Sequence, residues 1–158
     1  RTFALLTQVA GRAGRGGKPG KVVIQTYNPA HYAITAAAKQ DYQYFYQAEI
    51  KSRKLLEYPP FVKTARLLLS DFDEKSARES AKTAWEYLHE HYPILEITNA
   101  MPAPIERIRE RWRYHIILKN KDLTVLLEAM SALREMLSTS RKSKTLRIII
   151  DIEPENIL

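Results

Sequence analysis

The sequence predicts a mixed α/β protein of the α+β kind, built in two parts. Three observations carry that reading: a Gly-rich interruption at residues 11–20 behind an apolar helical stretch, a Pro59-Pro60 break, and beyond it a regular exchange of period-two and period-3.6 apolar segments. At 158 residues the chain has room for one ordinary domain, or for the end of one joined to a second small one.

Phe3 to Ala10 read as the end of a helix, stopped by the glycines that follow. Lys21 to Thr26 (KVVIQT) has the apolar run of a buried strand. A helical pattern resumes near His31 and is strongest from Asp41, where Tyr42, Phe45, Tyr46, Glu49, Ile50 and Arg53 follow at spacings of three and four. Asp41 suits an N-cap, and Glu49 with Arg53 makes a favourable i,i+4 pair. Pro59 and Pro60 end this part, because proline lacks the ladder donor and restricts the residue before it. The boundary falls there, giving domains at 1–58 and 59–158.

In the second part, Val62 to Leu69 reads as a strand and Asp73 to His91 as a helix with Ala77, Ala81, Ala84 and Leu88 on one face. Ile94 to Ile97 and Arg111 to Lys119 are further strands. Asp122 caps a second helix whose Leu123, Leu126, Leu127, Met130, Leu133 and Leu137 form an apolar stripe. Thr145 to Ile152 closes the chain, with Leu146, Ile148, Ile150 and Ile152 alternating against Arg147 and Asp151. The order βαββαβ is that of the split ferredoxin-like motif, a sheet covered by two helices on one face.

Apolar content of 45% with 27% charged residues suits a soluble globular protein and argues against disorder. No apolar run approaches the roughly 18 residues of a membrane span, so no membrane partner is expected, and the absence of cysteine fits a cytoplasmic home. Zero cysteines exclude disulfides and thiolate metal sites, and the four histidines are scattered, so no metal is expected. The chain opens on Arg1 within an apolar helical pattern, without an initiator Met or leader, and reads as a piece excised from a longer one. Of the net +7, residues 1–58 supply +6. In the rest, bases concentrate between Arg107 and Arg113, and an anionic partner is expected.

The stretch Gln8-Val9-Ala10-Gly11-Arg12-Ala13-Gly14-Arg15 carries the chemistry. Two arginines three residues apart, separated by glycines, can converge on one anion while the backbone approaches closely. Such a pair suits a polyphosphate. An arginine at a γ-phosphate stabilises charge on its equatorial oxygens in the transition state, an effect on the order of 10³ to 10⁵ in rate. A solvated Gly/Arg loop binding phosphates non-specifically has the same composition. The chain holds no nucleotide loop of its own: the GxxxxGK[ST] frame around Gly20-Lys21 has Arg15 and Val22 at required positions, and GxGxxG from Gly14 meets Pro19. Another segment must therefore hold the nucleotide.

QVAGRAGR resembles motif VI of superfamily 2 helicases, the element that closes the second RecA-like lobe over ATP. The continuation Gly20-Lys21-Val22-Val23-Ile24-Gln25-Thr26, then Asp41-Tyr42, Phe45-Tyr46, Glu49 and Tyr58-Pro59-Pro60-Phe61, resembles the primosomal protein N′ (PriA) family of replication-restart helicases. Pro102, Pro104, Arg111-Trp112-Arg113 and Asp151-Ile152-Glu153-Pro154 extend the likeness collinearly over nearly the whole chain. The resemblance implies the end of a RecA-like lobe over 1–58 and an accessory domain, ferredoxin-like or S10-like, over 59–158. It implies a parent enzyme that hydrolyses ATP with magnesium, unwinds DNA 3′ to 5′, restarts stalled forks and carries zinc on a cysteine-rich insertion upstream. Gln8 would orient the nucleotide region, and Gly11 and Gly14 would allow the tight backbone. Arg15 would serve as the finger with Arg12 in support. Forked DNA, single-stranded DNA-binding protein and other primosome proteins are the implied partners, and the chain alone is expected to be inactive.

Arg107, Arg109, Arg111 and Arg113 recur every second residue, so an extended ribbon would set all four on one face about 6.6 Å apart, near the phosphate spacing of a nucleic-acid strand. Trp112 could stack a base, although period two puts it on the opposite face. The bland alternative is a solvated hairpin rim, part-neutralised by Glu106 and Glu110, with Trp112 in the core. A non-enzymatic RNA-binding or ribosomal module would also suit a βαββαβ sheet with a basic hairpin. The paired arginines of QxxGRxGR argue against it, and the Pro-Pro-Phe junction argues against an RNA helicase. The series Tyr42, Tyr44, Phe45, Tyr46 is expected to pack against the neighbouring lobe, with Tyr44 the exposed exception.

Overall fold

The computed structural model describes residues 1–13, 21–139 and 143–154. The chain divides into two compact units, Arg1–Leu56 and Glu57–Leu158.

The first unit holds three helices, α1 (Thr2–Ala10), α2 (Tyr32–Lys39) and α3 (Tyr42–Leu55). Each later start has a local cause. The His31 imidazole accepts from the Ala33 N–H at 3.2 Å, and the Asp41 carboxylate accepts from the Tyr44 N–H at 2.9 Å, each satisfying an otherwise orphaned donor. Gln40, with φ of 54°, ends α2 in the left-handed conformation that lets α3 begin two residues later. Phe3, Ala33, Ala36 and Ala37 are buried, and Phe3 stacks on Phe45 at 4.4 Å. Tyr42, Tyr44 and Tyr46 all stay at least half exposed, so of the aromatic series only Phe45 turns inward. The tyrosines lie on the solvent side of the Phe3–Phe45 contact.

Lys21–Thr26 does not form the buried strand expected of it. The segment is extended without ladder pairing, and Val23 is 79% exposed. A strand needs a neighbour for its N–H and C=O groups, and no described strand lies in this unit to provide one.

The second unit runs β1 (Lys63–Asp71), α4 (Glu74–His91), β2 (Glu96–Ile97), β3 (Met101–Ile108), β4 (Arg111–Asn120), α5 (Leu123–Thr139) and β5 (Arg147–Ile152). The pairings are all antiparallel. The sheet order is β2-β4-β1-β5, and β3 also pairs with β4, along its first half, while β2 takes the second. β3 was not expected as a strand. Its Pro102 and Pro104 disguise it, but proline is tolerated on an edge whose outward groups need no partner.

Register assigns the two faces. Leu67 lies opposite Ile116 of β4 and Ile150 of β5, so odd-numbered β1 residues and even-numbered β4 and β5 residues share one face. That face packs on Ala77, Ala81, Ala84 and Leu88 of α4 and on Leu126, Ala129, Met130, Leu133 and Leu137 of α5. Leu127 is 47% exposed, one position off the helical stripe assigned to it. Asp73 caps α4 through the Ser76 N–H at 2.7 Å, and Asp122 accepts from the Thr124 N–H at 2.8 Å at the start of α5. Each fully buried Leu or Ile contributes about 1.5–3 kcal/mol by leaving water. The opposite face carries Arg66 and Ser70 of β1, Arg111, Arg113 and His115 of β4, and Arg147 and Ile149 of β5.

Candidate nucleic-acid interface and nucleotide-facing segment

In the first unit, Gln8 lies exposed on the last turns of α1, and Arg12 is exposed in the turn that follows. The helical path continues past the C-cap: the N–H groups of Gly11, Arg12 and Ala13 donate to Thr7, Val9 and Ala10 at 2.9, 3.1 and 3.2 Å. Gly11 has an ordinary helical φ of −67°, and a Cβ there would meet the Thr7 oxygen at 3.4 Å, so its value here is an uncovered backbone rather than unusual torsions. Gly14 and Arg15 lie outside the described residues.

The four second-unit arginines do not share one ribbon face. A ribbon requires continuous extension, and the backbone reverses at Arg109 and Glu110, whose φ values are 49° and 63°. Two positive-φ residues between the paired Ile108 and Arg111 make the tight hairpin that matches strand twist, at a cost of about 1 kcal/mol or more for each non-glycine. Arg107 consequently lies opposite Trp112, with its guanidinium 5.2 Å from the indole. Trp112 packs partly on the core, on the helix-covered side. Arg109 is exposed at the turn itself.

Arg111 and Arg113 occupy the other face. Arg111 is 7% exposed and donates to the Ser70 carbonyl at 2.9 Å and to the Thr145 carbonyl, with its guanidinium 4.5 Å from the Phe72 ring. Its hydrogen bonds go to backbone and hydroxyl oxygens. It therefore fastens β4 to the chain leading into β5. Arg113 donates to the Ile105 carbonyl at 3.0 Å and stays accessible. Asp71, 1% exposed, anchors the same corner by accepting from Thr145 Oγ1 at 2.6 Å and Ser76 Oγ at 3.0 Å. Burial alone would raise its pKa, but hydroxyls of Ser143, Thr145 and Ser76 and the Asp73 N–H outweigh that and hold it down to about 2. Burial, then the nearby Arg66 and Arg113, lower the His115 pKa, so its imidazole adds no positive charge to the face at neutral pH.

The hairpin thus gathers Arg107, Arg109 and Arg113 as accessible cations, while Arg111 acts inside. Sequence reasoning missed two residues of this corner, Phe72 and Arg147. Phe72 follows β1, is 51% exposed and covers the Arg111 guanidinium. Arg147 starts β5 and pairs with Ser70, which pairs with Arg113 on its other side. Only the cross-strand register brings these together. Among the described residues no helix is long and apolar enough to cross a membrane, and no His, Cys, Asp and Glu side chains group to hold a metal ion.

The profile of the primosomal protein N C-terminal domain matches residues 54–155. The Bacillus subtilis (strain 168) protein named replication restart protein PriA is 37% identical over 98% of this chain and 19% of its own length. The proteins of the same name from Chlamydia pneumoniae and Borreliella burgdorferi are 34% and 33% identical, over 98% and 100% of this chain and 20% and 24% of theirs. The chain thus spans about a fifth of the length of these relatives.

Proposed function

Because the chain belongs to the primosomal protein N C-terminal domain family, we propose that it is the C-terminal part of an ATP-dependent 3′ to 5′ DNA helicase that restarts stalled replication forks. The observation that carries this is collinear likeness over 98% of the chain to a named replication restart protein, since that span takes in both the Gly/Arg segment and the cationic hairpin.

On this reading residues 1–58 end a RecA-like lobe, and QVAGRAGR is its motif VI. Gln8 orients the segment, Gly11 and Gly14 keep the backbone bare, and Arg15 acts as the finger with Arg12 beside it. ATP with magnesium binds on a lobe that these residues do not include, and a zinc-binding insertion lies upstream. Residues 59–158 form a ferredoxin-like, S10-like domain, a reading supported by the antiparallel order β2-β4-β1-β5 with both helices on one face. The exposed Arg107 and Arg109 and the half-buried Arg113 contact phosphates of a fork's single-strand/duplex junction, Trp112 holds Arg107 in place, and Arg111 braces the hairpin. The protein works in the cytoplasm with single-stranded DNA-binding protein and other primosome components.

In the full-length enzyme, Arg15→Ala should lower DNA-stimulated ATP hydrolysis at least about a hundredfold with fork binding retained. A mild effect removes the finger assignment. Arg107→Ala with Arg109→Ala should weaken fork binding and flatten its salt dependence. Unchanged affinity and slope would return the hairpin to a solvated rim.

A further inference from the structure

Phe72 and Arg147 are left over by the hairpin reading, and they share a corner with Arg113. Arg113 and Arg147 flank Ser70 from the two neighbouring strands, on the face away from α4 and α5. Their backbones are therefore about 10 Å apart, two inter-strand steps. The ring of Phe72, one residue past the strand end, carries the Arg111 guanidinium at 4.5 Å and is still 51% exposed.

The charges around this corner are unbalanced. Arg66 pairs with Asp151 at 2.6 Å and Lys119 with Glu96 at 2.9 Å, which leaves those two carboxylates already engaged. Asp71 is buried among hydroxyls. Glu106 and Glu110 belong to the hairpin arm and tip. Arg113 is held only by the Ile105 carbonyl, and Arg147 has no hydrogen-bond or ion-pair partner among the described residues.

From this arrangement we infer that Phe72 is a stacking platform for one base of single-stranded DNA, with Arg113 and Arg147, level with Ser70 two residues back along the sheet, on the adjoining phosphates. The inference rests on the DNA-binding reading above and adds a second contact, separate from the hairpin tip. An exposed ring with cations on the same sheet face suits a single strand, whose bases offer free π-faces, and not a duplex, whose bases already cover one another. Arg111 sits against Phe72 as a positioning residue. It fixes the ring, and its charge strengthens the stack from behind.

The test uses the 158-residue chain, fluorescently labelled oligo-dT, oligo-rU and a blunt duplex, with affinity read by anisotropy across a salt series. Phe72→Ala should weaken oligo-dT binding about tenfold, and Phe72→Trp should restore it. Arg147→Ala, which removes no hydrogen bond or ion pair among the described residues, should lower affinity and reduce the log–log salt slope by about 0.7. Duplex binding should be unaffected by all three. The inference is overturned if Arg147→Ala leaves slope and affinity unchanged, if Phe72→Trp binds as weakly as Phe72→Ala, or if duplex or oligo-rU is preferred. Should oligo-dT binding survive these changes while the Arg107/Arg109 variant loses forks, this site fails and the hairpin reading stands. A wild-type chain that binds no DNA sinks both.

Discussion

The two units put their arginines on very different foundations. Behind Arg12 lies a buried cluster of one phenylalanine and three alanines, whereas behind Arg111 and Arg113 seventeen buried residues form one core. A helix draws most of its stability from a packed face, and α3 has no fully buried residue at all. Among the described residues the first unit therefore has much less apolar burial to hold it than the second. On the proposed reading, the nucleotide-approaching arginines belong to the less packed unit and the phosphate-contacting hairpin to the better packed one.

The widest gap should be in hydrogen exchange. Amides of Leu67, Ile116 and Leu118 should be protected roughly a thousandfold more than those of α1, because core strands open near the global free energy and weakly packed helices do not. Equal protection would abolish the contrast. Next comes core truncation: Leu67→Ala, at a fully buried site, should cost about 2–5 kcal/mol in denaturant melts of the second unit. Phe3→Ala should leave that transition in place, and a matching shift would mean the units do not unfold separately.

Acid should act on the second unit through Asp71. Its folded pKa of about 2 lies below the ordinary 3.8, so its contribution is complete above about pH 4 and disappears as pH falls through 4 to 2. The amount is on the order of 2 kcal/mol. Asp71→Asn should flatten the urea midpoint between pH 5 and pH 2.5, and an unchanged pH profile would discount the hydroxyl cage. Tyr32→Phe is a smaller lever on the first unit. It removes the hydroxyl that donates to Glu49, which also accepts from Arg53 at 2.7 Å, and should cost about 1 kcal/mol in that unit alone. Smallest of all, Lys75→Ala breaks an exposed 3.9 Å pair with Glu79 and should change stability by less than about 0.5 kcal/mol.

Much of this architecture was legible in the residues. Asp41, Asp73 and Asp122 announced helices because a short acceptor before an apolar stripe satisfies orphan donors locally. The alanines of α4 and the leucines of α5 announced their buried faces, apart from Leu127. The strand at Lys21–Thr26 was misread because apolar content predicts burial only where a ladder partner exists. β3 went unread because two prolines mask an edge strand, and the hairpin stood only as the alternative to an extended ribbon. Once the chain turns at Arg109 and Glu110, period-two spacing no longer means a shared face. Gly14 and Arg15, at the centre of the motif reading, are outside the described residues.

By itself, then, the sequence determined the helices and most strands, the α+β class, the Gly/Arg segment and the family, since caps, periodicity and motif spacing act over a few residues. Tertiary structure alone decided that Arg111 is buried, that Arg107 faces Trp112, that Arg113 and Arg147 flank Ser70, and that Phe72 covers Arg111. These outcomes depend on strand register, which joins β1 to β4 and β5 across dozens of intervening residues and is set by whole faces seeking burial together.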